Sequence, residues 1–340
     1  MSPRLKWFRR VALTATLLCA IVVVVGAWVR LTHAGLGCPD WPGCYGQVHP
    51  SQVAESASAA AAFPDRPFDY QKALNEMVHR YIVGALGLTI LGLALFSAWN
   101  RRDPAQPRVL PWLVVGLVVL QAMLGMWTVT LLLKPLIVTL HLLGGLATLS
   151  LLWWLALTPE RRELKAAERP VRNLAILAMV VVTLQVSLGG WTSTNYAAAA
   201  CADFPTCHGS LWPNMDFQNA FVLWRGLGID YEGGVLDAPA RVAIHYSHRL
   251  GAYLTALVLL LVVMGVWRRG QTLWTRAAGT AVLLALIFQV TVGMNLIWKG
   301  WPLWLGTLHN AGAAGVVLTM VALLRCLAPR PESGSVRLRS

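Results

Sequence analysis

Four histidines are the first residues of this chain that could do chemistry. They are His79, His141, His248 and His309, and each lies near the start of a long apolar segment. Two imidazoles from facing helices are a common ligand set for haem iron. Alternatively, each histidine could be a buried hydrogen-bond donor between helices. A zinc or copper site would need further ligands at short spacing, and the sequence shows none.

Two of these histidines, His79 and His248, differ in the residue that lies three positions before them. Glu76 lies three residues before His79 and shares its helix face, whereas the matching position before His248 is His245. The carboxylate could accept a proton or stabilise a developing cation, or it could pair with Arg80. The sequence therefore predicts chemistry in the half with the carboxylate and a resident electron-transfer haem in the other half.

An arginine directly follows each of these histidines, as Arg80 and Arg249. Adjacent helical residues point in different directions, so the arginines cannot share the direction of the ligand. They could reach an anion at the membrane interface, and a haem propionate would fit. The alternative is a plain interfacial anchor.

Two cysteine pairs have the same spacing, C-x-D-x-P-x-C in both cases. They are Cys38 with Cys44 and Cys201 with Cys207. Such loops oxidise outside the plasma membrane, so we expect one disulfide in each. Each disulfide could be a structural staple or a redox-active thiol pair. Of the two pairs, the first is favoured as the active one, because it shares a half with Glu76.

The elements that position these residues must be membrane helices. The chain has 340 residues, 56% of them hydrophobic and 13% charged, and its mean hydropathy is +0.57. Eight apolar runs are long enough to cross about 30 Å of hydrocarbon. They cover residues 11–30, 75–98, 110–132, 137–157, 172–193, 241–267, 276–297 and 304–325. The prediction is an all-α polytopic membrane protein.

The basic residues predict the orientation of these spans. They concentrate in both terminal segments and in the loops 99–109, 158–171 and 267–276, which all lie on one side if there are eight spans. That side is expected to be cytoplasmic, with both termini there, in a bacterial plasma membrane. The formal charge of +13 is then a membrane-topology signal, and a nucleic-acid partner is not expected.

The chain also repeats itself internally. Residues 26–46 align with residues 189–209 at an offset of 163, and the later motifs match at offsets of 168 and 169. The repeat unit is four helices, so we expect two tandem pseudo-symmetric four-helix bundles, residues 1–160 and 161–340. The Ser/Ala-rich run 51–62 has no counterpart and predicts a spacer or a surface helix.

With these motifs in view, the chain resembles the haem A synthase family. The resemblance rests on RLTHAGLGCPDWPGC at 30–44, EMVHR at 76–80, LHLLGG at 140–145, the dipeptide His248-Arg249 and LHNAG at 308–312. It covers nearly all eight spans. It implies an enzyme that oxidises a methyl group of haem O to a formyl group, through hydroxylation, to give haem A.

The resemblance also implies roles for particular residues. His79 and His141 would flank the substrate haem, and His248 and His309 would hold a haem b cofactor. Glu76, Cys38 and Cys44 match the family's catalytic half. The implied partners are haem O as substrate, a haem O synthase, the assembly factors of a terminal oxidase, and membrane lipid. A di-haem b-type electron carrier and a haem chaperone or transporter are the alternatives.

Overall fold

The computed structural model of the protein describes residues 2–157 and 164–328, and this part of the chain is helical without any β-sheet. Eight helices are long and apolar enough to cross a membrane, so all eight predicted spans are confirmed. They are α1 (Pro3–Leu31), α4 (Tyr70–Trp99), α5 (Leu110–Thr130), α6 (Pro135–Ala156), α7 (Arg169–Thr194), α9 (Ala238–Arg269), α10 (Leu273–Trp298) and α11 (Leu303–Cys326). The chain is a multi-pass membrane protein.

Three short helices lie in the two long loops on the predicted outer side. They are α2 (Pro50–Ala54), α3 (Ala57–Ala61) and α8 (Phe217–Ala220). The first two come from the Ser/Ala-rich run, so the surface-helix interpretation of that run is confirmed.

Several long helices begin earlier than their apolar windows predict. α1 begins at Pro3, where the Ser2 hydroxyl accepts a hydrogen bond from the Leu5 N–H. α4 begins at Tyr70 because the Asp69 side chain accepts from the Lys72 N–H. Hydropathy does not register such polar first turns. As a result, His79 lies in the third turn of its helix instead of the first or second.

Two separate hydrophobic cores hold the helices together. The first joins α1, α4, α5 and α6 around Phe8, Leu93 and Leu149, with Ala314 of α11 at its edge. The second joins α7, α9, α10 and α11 around Leu259 and Met320. The pseudo-symmetry of two such bundles stays a prediction.

Contacts between the two halves run through both the helices and the loops. On the helices, the Trp153 indole N–H donates to the Leu318 carbonyl at 3.1 Å. In the loops, Arg66 pairs with Asp230 at 2.5 Å and with Glu232 at 2.8 Å. The long second outer loop is thereby fastened to the first half.

A buried lysine strengthens this fastening. Lys134, at the turn between α5 and α6, is 2% exposed. Its ammonium group donates to the carbonyls of Arg225 and Gly226, at 3.1 and 2.5 Å, and lies 3.5 Å from the centre of the Trp224 ring. Burial lowers the pKa of this ammonium group.

Some sequence-based predictions lie outside the described residues. They are the basic side chains Arg161, Arg162, Arg330, Arg337 and Arg339, and the proposed boundary between residues 160 and 161.

Candidate functional site

Each of the four histidines lies against a glycine of a neighbouring helix. A Cβ atom added to Gly26 would come within 3.0 Å of His79, and one added to Gly293 would come within 3.0 Å of His309. Gly189 and Gly125 stand in the same relation to His248 and His141, at 3.1 and 3.6 Å. The glycines let the imidazoles approach the helix backbone closely, and these positions match between the two halves.

The histidines are brought together in pairs, one pair in each half. His79 of α4 and His141 of α6 lie close enough to influence each other electrostatically, as do His248 of α9 and His309 of α11. This proximity within each half agrees with the predicted pairs, and the binding of a haem by each pair stays a prediction.

The donor set fits a porphyrin iron better than a bare metal ion. Among residues 2–157 and 164–328, no group of three or more His, Cys, Asp or Glu side chains could hold a metal ion. The Nδ1 atoms of His141 and His309 are buried and have no hydrogen-bond partner within the described part of the chain. Pairs of imidazoles with an unused nitrogen suit a haem, whose ring supplies the remaining ligands of the iron.

Glu76, three residues before His79 on α4, is bonded to the first disulfide loop. Its side chain is almost fully buried, and Oε1 lies 2.5 Å from the Arg80 guanidinium. Oε2 accepts a hydrogen bond from the Cys38 N–H at 2.9 Å. The ion pair that the sequence offered as an alternative role for Glu76 is therefore present, together with a direct link to the cysteine loop.

Arg80, on the same helix as Glu76, also forms hydrogen bonds with the first disulfide loop. Its Nη1 group donates to the carbonyls of Asp40 and Pro42, at 3.0 and 3.1 Å, and also to that of Gly43. The role of Arg80 as a partner of a haem propionate stays a prediction. The structure gives it Glu76 and the loop carbonyls as partners.

The second half builds the matching arrangement without a carboxylate. Arg249 donates to the carbonyls of Thr206 and Cys201, at 2.8 and 3.0 Å. His245, in the place of Glu76, is 3% exposed and donates from Nδ1 to the Ala197 carbonyl at 3.1 Å. Each loop is hydrogen-bonded to side chains of the helix that follows it, but only the first loop is bonded to an anionic side chain, that of Glu76.

Both predicted disulfides are present. Cys38 is bonded to Cys44, and Cys201 to Cys207, each across a sequence separation of 6. All four cysteines are fully buried.

An aspartate inside each disulfide loop accepts backbone hydrogen bonds. Asp40 accepts from the N–H groups of Tyr45 and Gly46. Asp203 accepts from those of His208 and Gly209, and also from the Thr206 hydroxyl at 2.5 Å. The Thr206 hydroxyl and these N–H groups hold the pKa of the Asp203 carboxyl well below its usual range.

The sequence analysis missed Gln185, a polar residue inside an apolar span of α7. Its Nε2 atom lies 3.0 Å from Nδ1 of His248. An isolated glutamine four residues before a matched glycine was the available signal. The internal repeat does not mark this glutamine, because the matched residue in the first half is Val22.

A second missed feature lies where the two halves meet. Arg30 at the end of α1 donates to the Ser193 carbonyl at 2.7 Å and lies 4.3 Å from the centre of the Tyr196 ring. His33 stacks on the same ring, with 5.7 Å between ring centres. Arg30 matches Ser193, and His33 matches Tyr196, at the repeat offset of 163.

Comparison with known proteins places the chain in a family. The family model described as "Cytochrome oxidase assembly protein", COX15-CtaA, matches residues 9–321. The chain belongs to this family of cytochrome oxidase assembly proteins. A heme A synthase of Shewanella oneidensis is 42% identical over 324 residues, which cover 94% of this chain and 96% of that protein.

More distant members of the family are similar over most of their length. A heme A synthase of Caulobacter vibrioides is 30% identical, with 92% of this chain and 94% of the relative covered. One of Sphingopyxis alaskensis is 27% identical, with 96% and 93% covered. The family resemblance stated from the sequence motifs is thus confirmed.

Proposed function

We propose that this protein is a haem A synthase, which oxidises a methyl group of haem O to a formyl group, through hydroxylation, to give haem A for a terminal oxidase. Its family and its relatives support this activity. The observation that carries the proposal for this chain is the pair of matched histidine sites, only one of which has a buried carboxylate three residues before its first histidine on the same helix.

In this proposal the two halves divide the work. Residues 1–160 form the catalytic bundle, where His79 and His141 hold the substrate haem O. Residues 161–340 form the second bundle, where His248 and His309 hold haem b. When bound, haem b supplies a one-electron carrier for the electrons that leave the substrate. The separate hydrophobic cores and the matched glycine contacts support this division.

Glu76 is the proposed proton acceptor of the catalytic half. Conversion of a C–H bond to a C–OH bond with the oxygen of water releases two protons and two electrons, and a carboxylate near the reacting group can accept a proton. Arg80 orients Oε1, and the Cys38 N–H orients Oε2. These two bonds fix the carboxylate in one position inside the membrane helix bundle.

The Cys38–Cys44 disulfide positions the loop that caps this site. Its Cys38 amide contacts Glu76 directly, so the state of the disulfide and the position of the carboxylate are coupled. We propose that Cys38 and Cys44 take part in catalysis, and that Cys201 and Cys207 serve mainly as a staple.

The proposed location is a bacterial plasma membrane with both termini in the cytoplasm. The basic residues of the connecting loops support this orientation. Haem O would be delivered by a haem O synthase in the same membrane, and haem A would pass to the assembly factors of a terminal oxidase.

The direct test is conversion of haem O by the whole chain. Cells that supply haem O but lack a haem A synthase of their own should form haem A when they express this protein. The His141→Ala variant should form none, although it reaches the membrane at the same level. An absence of haem A with the unmodified chain, at normal expression and with haem O present, would refute the proposal.

A further inference from the structure

An arginine-lined cleft lies at the end of the first half where α1 begins and α4 ends. Its volume is about 440 Å³, and it opens to the surface. Three arginines are among the residues that line it, which are Arg4, Ala98, Trp99, Asn100, Arg101 and Arg102. The Arg4 guanidinium lies 4.6 Å from the centre of the Trp99 ring. The two sides of the cleft therefore come from different helices, and their packing forms it.

The positive charge of this cleft is not matched by a carboxylate. None of its three arginines forms an ion pair with another residue in the ranges 2–157 and 164–328. The next acid along the chain, Asp103, accepts hydrogen bonds elsewhere, from the Ser2 hydroxyl at 2.7 Å and from the Ala105 N–H at 3.0 Å. Guanidinium groups around one cleft repel each other, and an anion bound among them would offset this repulsion.

Aromatic side chains beside the cleft indicate its level in the membrane. The Phe96 ring lies 4.6 Å from the Trp7 ring and 5.6 Å from the Trp99 ring, measured between ring centres. Both tryptophans are more than half exposed. Exposed tryptophan at the ends of membrane spans is typical of the headgroup region. This places the cleft at the depth where the phosphates of lipid headgroups lie.

The corresponding corner of the second half contains a buried carboxylate. Glu168, directly before α7, occupies the place of Leu5 at the repeat offset of 163. It is fully buried and accepts a hydrogen bond from the Gln271 N–H at 3.1 Å. Gln271 closely follows Arg268 and Arg269, the basic residues in the last turn of α9. A pair of consecutive arginines is thus present at both corners, and in the second half it lies near an acid.

We propose that Arg4, Arg101 and Arg102 form a binding site for a phosphate group, carried by an anionic phospholipid or free in solution. A guanidinium group can donate two parallel hydrogen bonds to a phosphate. Basic pockets between membrane helices are typical sites for anionic headgroups. The exposed ring of Trp99 adjoins the site and suits the apolar part of a lipid. The inference does not depend on the proposed catalytic activity.

The test compares two pairs of arginines. Arg4→Gln with Arg102→Gln removes two charges from the cleft, and Arg268→Gln with Arg269→Gln removes two from the matched end of α9. A general role of basic residues in membrane topology, or at the carboxyl ends of helices, would affect both pairs alike.

The probes distinguish the possible sources of the phosphate. The full-length protein is delipidated in detergent and titrated with phosphatidylglycerol, phosphatidylcholine or inorganic phosphate. The rise in unfolding temperature with the concentration of each probe gives its apparent dissociation constant.

We expect saturable stabilisation by phosphatidylglycerol and little by phosphatidylcholine. The cleft variant should bind phosphatidylglycerol about 10-fold more weakly or worse, as the loss of charge-assisted hydrogen bonds implies. The α9 variant should bind it as the unmodified protein does. An arginine-dependent response of the same size to inorganic phosphate would support the site and identify free phosphate as its ligand.

Three results would overturn the inference. They are equal losses of affinity in the two double variants, equal stabilisation by the two lipids, and no saturable stabilisation by any probe. If the cleft double variant does not fold, the single variants Arg102→Gln and Arg269→Gln provide the same comparison.

Discussion

The first and second disulfide loops are built alike but are held differently. In both, an arginine on the helix below donates to loop carbonyls, and an aspartate inside the loop accepts backbone N–H groups. The first loop also gives its Cys38 N–H to the buried carboxylate of Glu76, whereas His245 gives its own N–H to the second loop. The shared bonds explain how each loop keeps its shape. The position occupied by Glu76 in the first half and by His245 in the second is where the two halves are expected to differ in chemistry.

The largest expected effect on haem A formation comes from removing the Glu76 carboxylate from the first half. Glu76→Ala should leave the protein folded and loaded with haem but should lower the rate of haem A formation by about 100-fold or more, the range typical of a lost acid–base group. Glu76→Gln keeps an acceptor for the Cys38 N–H without the charge, and should be nearly as inactive. The rate is measured as haem A formed from haem O by membranes of equal protein content.

His245→Ala is the matched control for this comparison. It removes the corresponding contact in the second half and should lower the rate much less. Normal haem A formation by Glu76→Ala, or an equal loss in His245→Ala, would show that the position shared by Glu76 and His245 does not define the catalytic half.

The two disulfides offer a second comparison with a smaller expected effect. They close loops of equal length, so the loss of either should lower the free energy of unfolding by a similar amount, on the order of 2 kcal/mol. Cys38→Ser with Cys44→Ser should in addition lower haem A formation well below that of Cys201→Ser with Cys207→Ser. Thermal unfolding and the conversion assay are measured on both double variants.

Measuring both stability and activity distinguishes a catalytic role of a disulfide from a purely structural one. If both double variants lose the same stability and the same activity, both disulfides are structural only, and the proposed catalytic role of Cys38 and Cys44 fails.

The smallest expected effect concerns the aspartate of the second loop. Its folded-state pKa lies below the usual range for an aspartate, so its hydrogen bonds stabilise the loop above the unfolded-state pKa, and this contribution is lost as the pH falls through the folded-state pKa. Thr206→Val removes one donor and should raise the pKa of Asp203 toward its usual range. A carbon-13 NMR titration of labelled aspartate in the detergent-solubilised protein measures it. An unchanged pKa would mean that the backbone N–H groups of His208 and Gly209 suffice.

The membrane helices were predictable because hydropathy and length directly report the cost of placing a span in hydrocarbon. The residues at which these helices begin were harder to predict. α4 begins at Tyr70 because Asp69 caps it, and a local hydrogen bond of this kind has no hydropathy signal. The internal repeat also placed His79 and His248 in equivalent positions, and in the structure each lies against the matched glycine of a neighbouring helix.

The partners of the site residues were harder to predict. Sequence spacing put Glu76 and Arg80 near each other, but it could not show that both reach the loop at Cys38 and Asp40, which lies more than thirty residues away. Gln185 was missed for a related reason. Its contact with His248 depends on how α7 packs against α9, and such helix packing is not written in the local pattern of either helix.

The central claim is that the two histidine pairs hold different haems. The most direct test is extraction and chromatography of haem from the purified protein, expressed with and without a supply of haem O. We expect haem b in both preparations, with haem O or haem A added only when haem O is supplied. In His79→Ala the added haem should be lost and haem b retained. Haem b alone in both halves, regardless of the haem O supply, would contradict the account and indicate an electron carrier.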